Sequence, residues 1–315
     1  MGSKNISTKY AVLKILREAK EPVSGEKAAD IAGISRVSVW KAVQSLQASG
    51  YGISSTHAGY FLEKDLEDSL FPWEFGAEEE LFIHFPQTES TMTEARKIAM
   101  ENSSASKTEI ITADRQTKGQ GHSGHKWSTT KGSLACTLIT RNAAAASYSH
   151  RTTMAAQIAI VKVLSEITGR KFFARWPNDI WTEDGKVGGI LDEFYASGGK
   201  CRWLNLGIGI NLTSCPKIPG TDFAVKSAPG FSRKDFLRAF LKEFKAEEKI
   251  MQAEDSSLAD EWNRINFDNE KKIRLEPDKS LYTFKGINAF GFALLESKTK
   301  NRLLVPGQDS FIKRN

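Results

Sequence analysis

Residues 175–191 read Arg-Trp-Pro-Asn-Asp-Ile-Trp-Thr-Glu-Asp-Gly-Lys-Val-Gly-Gly-Ile-Leu, and they restrict the fold more than any other stretch of the chain. Pro177 fixes the backbone ahead of two short polar residues, Asn178 and Asp179, which are expected at a strand entrance. Asp184-Gly185 is a tight-turn signal, so Lys186 should open the return strand of a hairpin. Gly188 and Gly189 then remove side-chain bulk beside it, which lets a ligand approach the backbone. A lysine so placed can bridge a substrate carboxylate and a phosphate. Asp179 can hold Mg²⁺ beside phosphates, because that ion uses few protein carboxylates and keeps its waters. An ordinary Asp-Gly hairpin with a solvated lysine has the same local pattern.

The N-terminal residues follow a different rhythm. Residues 7–19 begin with a cap-like Ser7 and place Val12, Ile15, Leu16 and Ala19 on one helical face. A second short helix is expected over 25–32. Gly33-Ile34-Ser35 makes a turn, and Ser35 caps a third helix that starts at Arg36 and ends near Gly50. Two short strands follow, around Tyr51–Ile53 and Gly59–Leu62. Helix, helix, turn, helix, hairpin is the order of a winged helix-turn-helix. Ser35, Arg36, Ser38 and Lys41 lie at the start of the third helix, where they can meet DNA bases and phosphates. Residues 1–62 hold eight Lys/Arg and four Asp/Glu, an excess that favours a phosphate backbone. Trp40 on the same helix is bulky and reads as a core or dimer residue.

An acidic run interrupted by Pro72 is the best linker candidate, giving bounds of 1–64 for the winged helix and 65–80 for the linker. Residues 81–265 alternate β-type and helical runs and read as one α/β domain. From 266 to 315 only short strand-like pieces remain, at Lys272–Leu275, Leu281–Gly286, Phe292–Glu296 and Arg302–Val305, which fits a small barrel or sandwich.

Residues 119–124, Gly-Gln-Gly-His-Ser-Gly, match G-x-G-x-x-G literally. The residues after them do not start a helix, and the acid expected about 20 positions on is missing, since no Asp or Glu occurs between Asp114 and Glu166. A dinucleotide fold is therefore not expected. Seven basic residues and no acid over 115–165 instead favour a glycine loop that wraps an anionic ligand with its backbone N–H groups. The net charge of +6 and the pI near 9.0 lean the same way. Cys136, Cys201 and Cys215 have neither metal nor disulfide spacing. No apolar run is long enough for a membrane span, and no signal peptide is visible, so a cytoplasmic location is expected.

Taken in order, SGEKAADIAGISRVSVWKAVQSL with its wing HAGYFL, then ESTMTEA, DRQTKGQGHSGHKW, RWPNDIWTEDGKVGGILDE and GIGINL, resemble the bifunctional biotin–protein ligase and biotin-operon repressor family. The resemblance spans nearly the whole chain. It implies an α/β (α+β) multidomain fold: a winged helix, a central mixed sheet with helices similar to class II aminoacyl-tRNA synthetases and lipoate ligases, and an SH3-like C-terminal barrel. It implies two reactions. Biotin and ATP, with Mg²⁺, give biotinyl-adenylate; a lysine of a biotin carboxyl carrier protein then takes the biotin. Lys186 matches the family's essential lysine. Ser90, Thr91, Met92, Gln116 and Gly189 match the biotin pocket, and Gln120, Gly121 and His122 match the loop over biotin and the adenylate. Trp127 matches the residue near adenine; Asn178, Asp179 and Asn211 match the nucleotide and Mg²⁺ side. A homodimer promoted by the adenylate, bound to operator DNA, completes the implied picture.

The chain departs from the family at several places. Gln120, His122 and His125 stand at three loop positions where arginine is common, Met92 where asparagine is common, and Arg175 where lysine is common. A neutral histidine cannot fork onto a phosphate as arginine does, so a looser hold on the adenylate is expected, tightening at acidic pH. A ligase whose winged helix does not bind DNA, a regulator that senses biotin without transferring it, and a ligase for lipoate are the competing readings.

Overall fold

The computed structural model describes residues 7–101, 107–141, 149–198, 200–214, 232–251, 256–275, 280–306 and 312–314. Cys215 lies outside them. The chain divides into two compact units, Met1–His84 and Phe85–Asn315.

The first unit holds three helices, α1 (Thr8–Glu18), α2 (Gly25–Ala32) and α3 (Arg36–Ala48). A serine precedes each and accepts a hydrogen bond from a backbone N–H of the first turn: Ser7 from Tyr10, Ser24 from Lys27 and Ser35 from Ser38. Val12, Leu13, Leu16, Val39, Val43 and Leu46 form its core. A hairpin of β1 (Gly52–Thr56) and β2 (Gly59–Lys64) follows as the wing.

Residues 65–80 are not a bare tether. Trp73 and Phe71 join the apolar core of the first unit. Glu74 is fully buried and accepts from both terminal nitrogens of Arg17, at 3.0 and 2.8 Å, and from the Tyr51 hydroxyl. Arg17 also forks onto Asp65 at 2.7 and 2.8 Å. Burial and Glu74 push the Tyr51 phenol well above its ordinary range. The acidity that marked this run as a linker serves in part as a counter-charge for Arg17.

The second unit is built on a seven-stranded sheet in the order β3-β4-β5-β9-β8-β7-β6. The strands are β3 (Phe82–Thr88), β4 (Glu109–Gln116), β5 (Ser133–Thr140), β6 (Phe173–Arg175), β7 (Asp179–Trp181), β8 (Lys186–Ser197) and β9 (Lys200–Asn211). The division between the units falls within β3. From β4 across to β6 every neighbouring pair is antiparallel, and short turns join β6 to β7, β7 to β8 and β8 to β9.

Two helices cover opposite faces of this sheet. Arg96 of α4 (Thr91–Glu101) pairs with Glu193 at 2.7 and 2.8 Å, while His150 of α5 (Ser149–Thr168) lies 3.8 Å from Asp192. Adjacent residues of a strand point to opposite faces, so α4 and α5 sandwich β8. Helices α6 (Arg233–Met251) and α7 (Ser257–Arg264) pack on α5.

A five-stranded antiparallel sheet ends the chain, in the order β13-β12-β11-β10-β14. Its strands are β10 (Lys272–Leu275), β11 (Leu281–Ile287), β12 (Ala293–Glu296), β13 (Asn301–Leu304) and β14 (Ile312–Arg314). Four match the expected pieces; β14 carries no apolar alternation and is recruited by pairing with β10. Among the described residues no helix is long and apolar enough to cross a membrane.

Arg17→Met would leave Glu74 buried without its cation, and a loss of about 2–4 kcal/mol is expected in the first unit. Hydrogen exchange of the α1 and α3 amides in the full chain measures it; unchanged protection would mean that Tyr51 alone holds Glu74.

Candidate functional site

The hairpin signal at Asp184-Gly185 is realised. Thr182 N–H donates to the Gly185 carbonyl at 2.8 Å, and Gly185 has φ 153°, a conformation that favours glycine. Asp179 is the first residue of β7 and Lys186 the first of β8. Their side chains meet, with Lys186 Nζ 2.6 Å from Asp179 Oδ1. A Cβ on Gly189 would stand 3.4 Å from both of those atoms, so its absence keeps the space beside the pair open. The Trp176–Pro177 bond ahead of them is cis. The Asn178 amide donates to the Ile190 carbonyl at 2.6 Å, and Ile190 N–H returns to the Asn178 carbonyl at 2.8 Å, which ties this corner to β8.

A cavity of about 340 Å³ opens over this pair. Its wall includes Ser90, Thr91, Met92, Gln116, Asn178 and Gly189, together with Asp179 and Lys186. The loop closes over it. Gly121 N–H donates to the His125 carbonyl at 2.7 Å and Trp127 N–H to the Gly119 carbonyl at 2.9 Å, so residues 119–127 fold back on themselves around a short 3-10 turn at His122–Gly124. The loop leads into the strand β5 and not into a helix, in line with the rejection of a dinucleotide fold. Gln120, Gly121, His122, His125 and Trp127 all line the cavity.

Hydrogen bonds fix one end of the site. Gln116 Oε1 accepts from Thr91 N–H at 2.8 Å and lies 3.1 Å from the Thr91 hydroxyl, which in turn receives the Thr137 hydroxyl at 2.9 Å. Two polar groups stay unmatched. The Ser90 hydroxyl and the Trp127 indole N–H are buried, line the cavity and have no hydrogen-bond partner among the described residues. Orphaned buried groups facing a cavity mark places where a polar ligand completes the bonding.

Several lining residues escaped the sequence reading. Gly207 and Gly209 on β9 share one face, and both are required by close neighbours. A Cβ on Gly207 would meet Met92 Sδ at 2.6 Å, and one on Gly209 would meet the Trp127 ring at 2.4 Å. The alternating glycines of Gly-Ile-Gly-Ile-Asn were the available signal, since i and i+2 share a strand face. Lys126 adds a cation at the loop. Cys136 also lines the cavity, with burial pushing its thiol up to about 12, so it is inert.

One expected residue, and one position noted as a departure from the family pattern, stand elsewhere. Asn211 is buried at the end of β9, opposite Ser133, and is not part of the cavity wall. Arg175 is also outside it: its guanidinium pairs with Asp268 at 3.0 Å and stacks on Trp181. Among the described residues, Asp179 is the only carboxylate in the wall, and no three His, Cys, Asp or Glu gather as a metal cluster. In the first unit, the Ser35 hydroxyl caps α3 and contacts Ser38 at 2.9 Å, whereas Arg36 and Lys41 are exposed. Trp40 is 52% exposed, so it is not a core residue.

Comparison with known proteins finds likenesses in both units. Residues 84–211 match the biotin/lipoate A/B protein ligase family, and residues 8–61 match a helix-turn-helix domain. The match to the ligase family is confined to residues 84–211, the stretch that carries the cavity. It is 31% identical over 203 residues to the bifunctional ligase/repressor BirA of Bacillus subtilis, a match covering 62% of this chain and 62% of that protein. The chain therefore spans about three fifths of the length of that relative at this similarity. To BirA of Escherichia coli it is 23% identical over 288 residues, covering 87% of this chain and 88% of the other. The biotin protein ligase of Aquifex aeolicus in complex with biotin and ATP has a similar fold, with a TM-score of 0.60, 24% identity, and coverage of 74% of this chain and 99% of that one.

A second cleft adjoins the first cavity across His122 and holds His150 and Asp192. Burial lowers the His150 pKa; Asp192 opposes that and His122 adds to it, while Phe292 packs edge-on against the ring. The native state thus binds this proton less readily than the unfolded chain. Its contribution to stability is complete above the ordinary value of 6.5 and is lost as the pH falls through the lower native value. His150→Asn should therefore lose less thermal stability than the parent between pH 7 and pH 5, as read by melting curves across that range. An identical slope would place the imidazole in an environment no different from water.

Proposed function

We propose that this chain is a biotin–protein ligase that also acts as a biotin-responsive repressor. The observation that carries the ligase reading is the Lys186–Asp179 pair in a glycine-lined cavity under a basic loop. Joining a carboxylate to the α-phosphate of ATP brings two anions together, and a fixed cation offsets that repulsion. In this reading Lys186 leaves part of its contact with Asp179 and steadies the biotin carboxylate and the phosphate. The product is biotinyl-adenylate, with pyrophosphate released. An acceptor lysine on a biotin carboxyl carrier protein then attacks the mixed anhydride, and AMP leaves.

The side chains divide accordingly. Ser90 offers an unmatched hydroxyl, and Thr91, Gln116 and Gly189 shape the biotin end with Met92. Gln120, Gly121 and His122 close over the adenylate and exclude water, which protects the anhydride. Trp127, Asn178 and Asn211 serve the nucleotide, with Asn211 at the end of β9 beyond the described wall. Mg²⁺ fits here only as an ion carried mainly by phosphate oxygens, because the described wall supplies the single carboxylate of Asp179, already engaged by Lys186. When bound, the ion would neutralise phosphate charge.

The same reading assigns residues 1–64 to a winged helix, 65–80 to a connector, 81–265 to a catalytic domain akin to class II aminoacyl-tRNA synthetases, and 266–315 to an SH3-like barrel. Arg36 and Lys41 are exposed at the start of α3 and meet operator DNA, with Ser35 and Ser38 ordering the helix start. A cytoplasmic homodimer promoted by the adenylate is part of it. Lipoate is the second substrate reading, favoured by the breadth of the family match.

Mixing the protein with ATP, Mg²⁺ and either biotin or lipoate, and following pyrophosphate release, tests the substrate. Adenylate should form with biotin, and Lys186→Met should slow it by about 10²–10³-fold, as expected when a charge-stabilising donor is removed. Formation with lipoate alone would replace biotin as the substrate. For DNA, promoter fragments from the organism's own biotin genes should bind more tightly with biotin plus Mg-ATP, with an affinity that falls steeply as salt rises. Arg36→Ala should abolish the preference for those fragments, and absence of any preference in the parent would leave a ligase without a repressor role.

A further inference from the structure

The Lys186–Asp179 pair does not stand alone. Asp179 uses Oδ1 for Lys186, and its Oδ2 accepts from the Trp181 indole N–H at 3.4 Å. Asp179 and Trp181 are two apart on β7 and share a face. The Arg175 guanidinium lies 3.8 Å from the centroid of the Trp181 ring, and the Phe267 ring packs against the same indole at 5.3 Å. Arg175 Nε in turn donates to Asp268 Oδ2 at 3.0 Å, and both residues are buried. A continuous set of contacts thus runs from the cavity to a segment more than 80 residues downstream.

That segment is itself fixed to the sheet. Ala174 N–H donates to the Ile265 carbonyl and Phe267 N–H to the Ala174 carbonyl, each at 2.9 Å. Asp268 N–H donates to Asn266 Oδ1 at 3.0 Å. Residues 265–268 therefore lie alongside β6 in register with Arg175. The Arg175–Asp268 pair is a poor source of stability. Burial lowers Arg175 to about 10 and raises Asp268, so desolvation outweighs their attraction. A planar guanidinium held by one carboxylate and stacked on an indole does have a defined direction, which a lysine at the same place would lack. The contact set is better suited to orienting a neighbour than to holding the fold together.

We propose that Trp181, held by Arg175 and Asp268, is a positioning residue that fixes the Asp179 carboxylate so that one oxygen faces Lys186. With Oδ2 tied to the indole, the carboxylate cannot turn to offer Lys186 both oxygens or neither. The lysine then keeps one defined contact while its remaining protons face the cavity. The segment 265–268 contributes to the reaction by this route without touching a substrate. The inference rests on the ligase reading for its kinetic consequence, though not for its effect on Lys186.

Two measurements on the full-length protein test it. The first needs no substrate: competitive acetylation of Lys186 at fixed pH, read by mass spectrometry, in the parent, Trp181→Phe, Asp268→Asn and the double variant. Phenylalanine keeps an aromatic ring beside Arg175, smaller than the indole, and lacks the N–H. Lys186 should be labelled about two- to fivefold faster in each single variant, and the double variant should match Trp181→Phe, because residues acting through one route are not additive. The second is biotinyl-adenylate formation with KM for biotin and kcat measured separately. Here kcat should fall about three- to tenfold with KM for biotin unchanged, the mark of an interaction that matters in the transition state. Arg175→Lys should fall between the parent and Asp268→Asn. Unchanged labelling in Trp181→Phe, or effects that add and follow the loss of folding stability in urea, would overturn the positioning role. A parent that forms no adenylate while the labelling differences persist would remove the ligase reading and leave the positioning of Lys186 in place.

Discussion

The second unit is organised around one short contact, the 2.6 Å ion pair between Lys186 and Asp179 on facing strands of a narrow hairpin. It goes with a tight turn at Gly185, a strand entrance at Asp179 and glycine at 189. Because β7 is only three residues long, β8 runs on past it to Ser197. The residues beyond the end of β7 are reached from both faces, by Arg96 of α4 and by His150 of α5.

Close approach of backbone to side chain is the second constraint. Gly207 and Gly209 let Met92 and Trp127 settle directly on β9, which brings helix α4 and the glycine loop to the same cavity. The loop holds its shape by backbone hydrogen bonds between Gly121 and His125 and between Gly119 and Trp127. Glutamine and histidine at 120, 122 and 125 leave Lys126 and Lys186 as the cations of the described cavity wall. Residues 119–127 hold no arginine, so the loop offers no guanidinium fork to the cavity.

The first unit illustrates how a buried charge can anchor a segment. Glu74 sits under Arg17 and Tyr51, and the apolar neighbours Phe71 and Trp73 stack at 4.6 Å. The residues after the wing are consequently part of the winged-helix core. The exposed face of α3 carries Arg36, Val37, Trp40 and Lys41, a mixture of cations and apolar groups.

Much was legible from local pattern alone. The serine caps, the three helices, the wing, the hairpin at Asp184-Gly185 and four of the five C-terminal strands follow from periodicity and turn chemistry, which act over a few residues. The positions of Lys186 and Asp179 at adjoining strand starts follow from the same rules. Long-range placement was not legible. Nothing in the composition of 65–80 distinguishes a solvated acidic linker from one whose Glu74 is buried under Arg17. Arg175 is in the cavity's own motif, yet Asp268, 93 residues away in sequence, turns it from the cavity. Asn211 belongs to the Gly-Ile-Gly-Ile-Asn run, yet it is buried at the very end of β9 and does not line the cavity. The sequence alone determined which elements form and which residues carry charge, because those depend on neighbours along the chain. Only the tertiary structure decided which charges meet, because pairing and burial depend on neighbours in space.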